Sequence, residues 1–212
     1  MTTIRHHIPD ALLAAYAAGN LPQPFALVVA AHVSICLDCR AALEAHQAVG
    51  GLVLEGTAPE GLSDGMKSRV LDLLDGPAPA SAPRQPRSGI YPGPVMEALK
   101  GRPPRWKPLG GGVRQDILSA SDDGSVRLLY IPAGQAVPDH GHGGLELTLV
   151  LQGSFSDETG QYGVGDLEVA DENLEHVPIA GAGPPCICLA ATDAPLRFNS
   201  LIPRLLQPLF RI

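Results

Sequence analysis

The sequence predicts two domains: an all-α unit over residues 1–75, then an all-β barrel over residues 90–212. Three observations carry this. Apolar residues recur at helical spacing in the first third and fall into short β-rich runs in the rest. A stretch of Pro, Ala and Ser with no apolar period separates the two. Each side has its own set of His, Cys or Glu at metal-ligand spacing.

The first predicted helix, Asp10–Ala18 (DALLAAYAA), is rich in Ala and Leu and stops at Gly19-Asn20, a C-terminal signal. Pro24 can open a second helix through Phe25 to His32, because its missing N–H is no loss in a first turn. A third run spans Arg40–Leu54. The fourth, Leu62–Leu74, places Leu62, Met66, Val70, Leu73 and Leu74 on one face. Such a stripe most often closes a domain's own core; the alternative is that it packs on a partner. A unit of this size buries little surface and commonly needs a staple, either a structural metal or another protein.

Residues 76–89 (GPAPASAPRQPRSG) read as a semi-extended tether. Beyond them, runs at Val126–Ile131, Leu145–Leu151, Leu167–Ala170 and Ile187–Ala191 alternate with Gly, Pro and Asp turns, as in an antiparallel barrel or sandwich. The chain has 24 Gly and 21 Pro, which suits many turns, and only 4% aromatic residues, so its core must be aliphatic.

Charge narrows the function classes. The net charge of −7 supplies no basic field for phosphate, which argues against direct nucleic-acid binding and against anionic membranes. No apolar stretch is long enough to span a bilayer, and the N-terminus lacks the apolar centre of a secretory signal. The expected location is therefore cytoplasmic, where the four cysteines read as thiols or metal ligands before disulfides.

In the first unit, His32, Cys36 and Cys39 form H-x3-C-x2-C. Four residues separate His32 from Cys36, about one helical turn. Two cysteines in a tight Cys-x2-Cys turn can reach one zinc ion. His6 or His7, just ahead of the first helix, is available as a fourth ligand. A Cys2His2 tetrahedron is closed and therefore structural, fastening the N-terminal segment to the helices. The competing readings are a redox pair, which lacks its usual βαβ setting, and two buried thiols.

In the second unit, His140 and His142 lie two apart, so on a strand both imidazoles share a face. Glu146 follows four residues later with inward parity, and His176 comes from a separate strand. Three imidazoles and a carboxylate suit Zn²⁺, Fe²⁺, Mn²⁺, Ni²⁺ or Cu²⁺. Cys186 and Cys188, two apart on a strand, also share a face. They either pack the core or form an oxidisable pair near the metal.

Gly134, His140, His142, Glu146 and Gly153 match the first cupin motif, G-x5-H-x-H-x3-E-x6-G, at every spacing. Gly165 and His176 match the second, although Asp171-Glu172-Asn173 replaces its usual P-x-G turn. A helical unit with His7 and H-x3-C-x2-C, a tether and a cupin together resemble the ChrR-type zinc anti-sigma factors. The likeness runs from RHHIPDALLAAYAAGNL through LGGGVRQ and VPDHGHGGLELTLVLQG to ICLAATDAPLRFNS and QPLFRI.

The resemblance implies a cupin (jelly-roll) fold and two zinc ions per chain. One would be held by His7, His32, Cys36 and Cys39, the other by His140, His142, Glu146 and His176. It also implies a 1:1 partner, an extracytoplasmic-function (group IV) sigma factor kept from RNA polymerase and released on an oxidative signal such as singlet oxygen. The Leu62/Met66/Val70/Leu73/Leu74 stripe is the candidate docking face. The rival is a metal-dependent cupin oxygenase or isomerase, for which the helical zinc unit has no evident use.

Overall fold

The computed structural model describes residues 3–77, 85–141, 143–194 and 197–198, with the side chains of His140 and of residues 197–198 left aside. Helix α1 (Asp10–Ala17) ends before Gly19, whose φ of +71° favours glycine. Helix α2 (Gln23–Val33) carries Pro24 in its first turn and buries Phe25, Val28, Val29, Ala31 and His32.

Helix α3 (Leu37–Glu55) starts three residues before the apolar spacing suggests. The reason is local: Cys36 is its N-cap, and the Sγ accepts the Cys39 N–H at 3.5 Å. Helix α4 (Met66–Leu74) begins at Gly65, which has φ +74°, so Leu62 lies ahead of it. A short helix the sequence reading did not anticipate, α5 (Gly93–Ala98), opens after Pro92 and buries Val95 and Met96.

Twelve strands follow among the described residues: β1 Lys107–Gly110, β2 Val113–Ser121, β3 Gly124–Ile131, β4 His140–Gly141, β5 Glu146–Gln152, β6 Ser154–Ser156, β7 Gln161–Gly163, β8 Leu167–Ala170, β9 Glu175–His176, β10 Ile179–Ala180, β11 Cys186–Thr192 and β12 Arg197–Phe198. They form a six-stranded sheet in the order β1-β2-β3-β11-β5-β8 and two three-stranded sheets, β10-β6-β7 and β12-β4-β9. Every pairing is antiparallel. The four β-rich runs of the sequence become β3, β5, β8 and β11.

The central strands of the six-stranded sheet are buried on both faces, which explains why β5 (ELTLVLQ) and β11 (CICLAAT) are nearly continuous in apolar residues. Leu147, Leu149, Leu151, Ile187, Leu189 and Ala191 face the helices in one core with Phe25, Val28 and Val29. Alternate residues Val150, Cys186 and Cys188 face the other way, against Phe155 and Tyr162. Helix α2 lies on β3, β5 and β11, α5 packs on α2, and α1 packs on α3. Each fully buried Val or Phe on α2 contributes roughly 1.5–3 kcal/mol. A single Val28→Asp change, which buries an unpaired charge, would undo this contact.

The remaining helical surface is different. Val49, Leu52, Val53 and Leu54 on the last turns of α3 are exposed, as are Leu62, Met66, Val70, Leu71, Leu73 and Leu74. No residue of α4 is buried. The predicted stripe therefore faces solvent and does not close the core. No single described helix is long and apolar enough to cross a membrane.

Candidate metal centres

The N-terminal arm brings His7 up to the start of α3. Its Nδ1 lies 3.3 Å from Cys36 Sγ and 3.5 Å from Cys39 Sγ. His32, the next-to-last residue of α2, completes the group. All four donor atoms lie within 4.8 Å of one another, with His32, Cys36 and Cys39 buried. The helix does not run through Cys36, as the sequence spacing allowed; it ends at Val33, and the Cys36 N–H donates to the His32 carbonyl at 2.8 Å. This bond keeps the one-turn spacing. His6 is elsewhere: its ring lies against Tyr162 and its Nδ1 3.5 Å from Asp166 Oδ2.

These residues fit a zinc ion. Tetrahedral bonds of about 2.0–2.3 Å set ligand atoms roughly 3.4–3.8 Å apart, close to the separations from His7. Both His32 ring nitrogens are buried and neither makes a hydrogen bond, a costly state unless a cation takes one of them. Burial, then the neighbouring His7, lowers the His32 pKa to about 4, so the ring is neutral and able to ligate. Burial pushes the Cys39 thiol up to about 11. A bound cation must displace that proton, which couples affinity to pH. The Ile8 N–H already points at Cys39 Sγ, 3.4 Å away, as a donor to a thiolate.

Inside the barrel, His176 on β9 is buried, with Nδ1 2.6 Å from Asp157 Oδ2 and 3.4 Å from Glu168 Oε1. Asp157, Glu168 and His176 form the second metal-competent group among the described residues. The sequence reading missed Asp157 and Glu168. The available signal was parity: on β8 (LEVA), Glu168 shares the inward face with the buried Ala170.

Burial alone would lower the His176 pKa, but Glu168 and Asp157 override it and raise it to about 9. Burial raises Glu168 to about 7. Asp157 goes the opposite way: despite burial, hydrogen bonds from Glu168, Thr159 and His176 hold it well below the carboxylate range. Asp157 holds the His176 ring through Nδ1, the kind of carboxylate support that commonly orients a ligating imidazole.

Of the other expected barrel ligands, His142 and the His140 side chain lie outside the described residues. The β4 backbone sets His140 directly opposite His176 in register. Glu146 begins β5 with the inward parity of Val150, accepts the Thr148 hydroxyl at 3.0 Å, and is not a member of the Asp157/Glu168/His176 group. The missing P-x-G turn is replaced by another device: Asp171 Oδ1 accepts the Asn173 N–H at 2.9 Å and its carbonyl the Leu174 N–H at 3.1 Å. Cys186 and Cys188 are buried in the inner core with sulfurs 3.4 Å apart. The Cys186 contact, then burial, raises the Cys188 pKa, with Glu168 and Glu146 adding to it.

Residues 99–194 match the model of the ChrR cupin-like domain. The anti-sigma-E factor ChrR of Cereibacter sphaeroides is 56% identical over 212 residues, covering 99% of this chain and 100% of that protein. This chain belongs to the ChrR family of anti-sigma-E factors. A solved structure of Rhodobacter sphaeroides SigE in complex with the anti-sigma ChrR matches with a TM-score of 0.78 and 54% identity, covering 90% of this chain and 100% of that one. Membership over the whole length carries both halves, the helical region and the cupin-like domain, and disfavours the enzyme reading: the ChrR relative is a regulator.

Proposed function

We propose that this chain binds an extracytoplasmic-function (group IV, sigma-E type) sigma factor 1:1 in the cytoplasm, keeps it from RNA polymerase, and releases it on an oxidative signal such as singlet oxygen. Inhibition then follows from mass action: a sigma factor held here is unavailable to polymerase. The anti-sigma domain is residues 1–75, the linker 76–89 and the cupin-like domain 90–212. The observations that carry the reading are the four-residue group of His7, His32, Cys36 and Cys39 and, in the same helical region, a helix left apolar and exposed. Zinc in that group fixes the arm and α3. Leu62, Met66, Val70, Leu73 and Leu74 supply the docking face. Their exposure supports this use, because soluble proteins rarely leave so much contiguous apolar surface without a partner.

A second zinc belongs to the barrel, on His140, His142, Glu146 and His176, giving two per chain. The inward parity of Glu146, the buried His176 and the His140–His176 register support it. Cys186 and Cys188 stand next to this site as the oxidisable pair. The test is co-expression with the group IV sigma factor. A 1:1 complex in size-exclusion chromatography, with two zinc per chain and inhibition of transcription in vitro, is the expected result. Failure of the two proteins to co-elute would reject the reading. A response to singlet oxygen that survives replacement of both Cys186 and Cys188 by Ser would remove the pair from the sensing role.

A further inference from the structure

The arm that delivers His7 is held from outside the helical region. Asp166, between β7 and β8, is buried. Its Oδ1 accepts the backbone N–H of Arg5 at 2.6 Å and of His6 at 3.0 Å. The Leu167 N–H then donates to the His6 carbonyl at 3.1 Å. Three hydrogen bonds thus fasten residues 5 and 6 to the barrel, one residue before the ligand His7. Asp166 Oδ2 meanwhile accepts the Gly163 N–H at 2.8 Å and closes the β7–β8 turn.

The same turn also lies close to the arm at Ile4. Gly165 has φ +94° and no Cβ; a Cβ there would lie 2.7 Å from Ile4 of the arm. Another residue would be strained at that φ and would push the Ile4 side chain aside. Two residues beyond Asp166, on β8, Glu168 touches His176. The β7–β8 turn and the strand after it therefore connect the barrel cluster to the grip on the arm that carries His7.

We infer that Asp166 is a positioning residue for the zinc centre of the helical domain: the cupin-like domain grips the N-terminal arm through this carboxylate and so holds His7 on Cys36 and Cys39. Asp166 touches no metal itself and acts through His7. The inference rests on the zinc reading above and deepens it, because it makes metal retention in one domain depend on the integrity of the other. Outer-shell partners of this kind are commonly worth 10- to 100-fold in metal affinity.

The alternative is that Asp166 only closes its own turn. Two substitutions separate the roles. In Asp166→Asn the remaining oxygen can still accept from Arg5 and His6, while the amide cannot accept from Gly163. Asp166→Ala removes both functions. Arg5→Pro removes one arm donor and leaves the barrel untouched, which covers the case in which Asp166→Ala does not fold.

The full chain is loaded with Co²⁺ and challenged with excess EDTA while the thiolate-to-cobalt absorption of the Cys36/Cys39 centre is followed. Thermal unfolding is recorded in parallel. Positioning predicts loss at least tenfold faster in Asp166→Ala, several-fold faster in Arg5→Pro, and within threefold of wild type in Asp166→Asn. Loss within twofold of wild type in both Asp166→Ala and Arg5→Pro overturns the inference. So does an Asp166→Asn variant as fast as Asp166→Ala, since both then report turn closure alone. If the wild-type chain gives no thiolate-to-cobalt band, the zinc reading itself fails and the inference with it. Equal rates with an intact band reject the inference and leave that reading standing.

Discussion

The two buried histidine clusters solve the same problem, polar atoms cut off from water, in opposite ways. In the helical region His32 has no hydrogen-bond partner and a pKa near 4, so its ring is neutral and its nitrogens are orphaned. In the barrel His176 is held by Asp157 and Glu168, with a pKa near 9. The first cluster is incomplete without a cation. In the second, Asp157 and Glu168 hold the imidazole through Nδ1. The first arrangement suits a staple, and the second is a ring braced by charged neighbours.

The sharpest way to break this comparison is to remove the thiolates. Structural zinc contributes on the order of 10 kcal/mol or more in small domains. Cys36→Ser with Cys39→Ser should therefore lose one zinc per chain by elemental analysis, weaken sigma binding by more than 100-fold, and lower the helical circular-dichroism signal. A double variant that still carried two zinc ions and bound normally would mean that the thiols are core residues only.

Next in size is His176→Ala. It leaves Asp157 and Glu168 buried without their imidazole, and removing one member of a buried charged set typically costs about 3–5 kcal/mol. Chemical denaturation of the metal-free chain is the measurement. Adding Asp157→Asn should recover part of the loss, because one buried charge is then gone. Simple additivity of the two changes would show that the residues do not act as a unit.

Acid provides a third contrast. In the metal-free chain His32 binds its proton less readily folded, at about pH 4, than unfolded, near 6.5. Between these values the unfolded state holds more protons, so stability rises with pH and falls on acidification. At about 1.4 kcal/mol per pKa unit the loss from pH 7 to pH 4 approaches about 3 kcal/mol. His32→Gln should flatten that part of the stability profile. An unchanged slope would place the acid sensitivity elsewhere.

The helical cluster was legible from the sequence because three of its ligands lie within one short stretch, where spacing on a helix end dictates geometry. The fourth, His7 over His6, was decided by the arm's path: His6 is drawn off toward Asp166 and Tyr162. His176 was legible from motif spacing, but its supports Asp157 and Glu168 were not read, since they come from a different loop and strand and no spacing rule joins them to it. The short α5 escaped because six residues flanked by Pro carry too little period to read. The amphipathic stripe ending in Leu73-Leu74 was visible, but the same period serves a core and a docking face, and only the packing tells them apart.

That ambiguity yields the mildest prediction on stability and the most specific one on function. Leu73 and Leu74 are 77% and 75% exposed, so Leu73→Ser and Leu74→Ser remove little buried surface. Unfolding free energy should move by no more than about 0.5 kcal/mol, as for surface substitutions generally. Against a sigma factor the same pair should weaken binding at least tenfold, because apolar side chains buried at an interface lose their partner surface. Val28→Ser makes the opposite control: Val28 is fully buried on α2 against the sheet, and truncating it should cost stability first. If the Leu73/Leu74 variants destabilise the isolated chain as much as Val28→Ser does, the stripe belongs to the core in solution and the docking face must be sought on the last turns of α3.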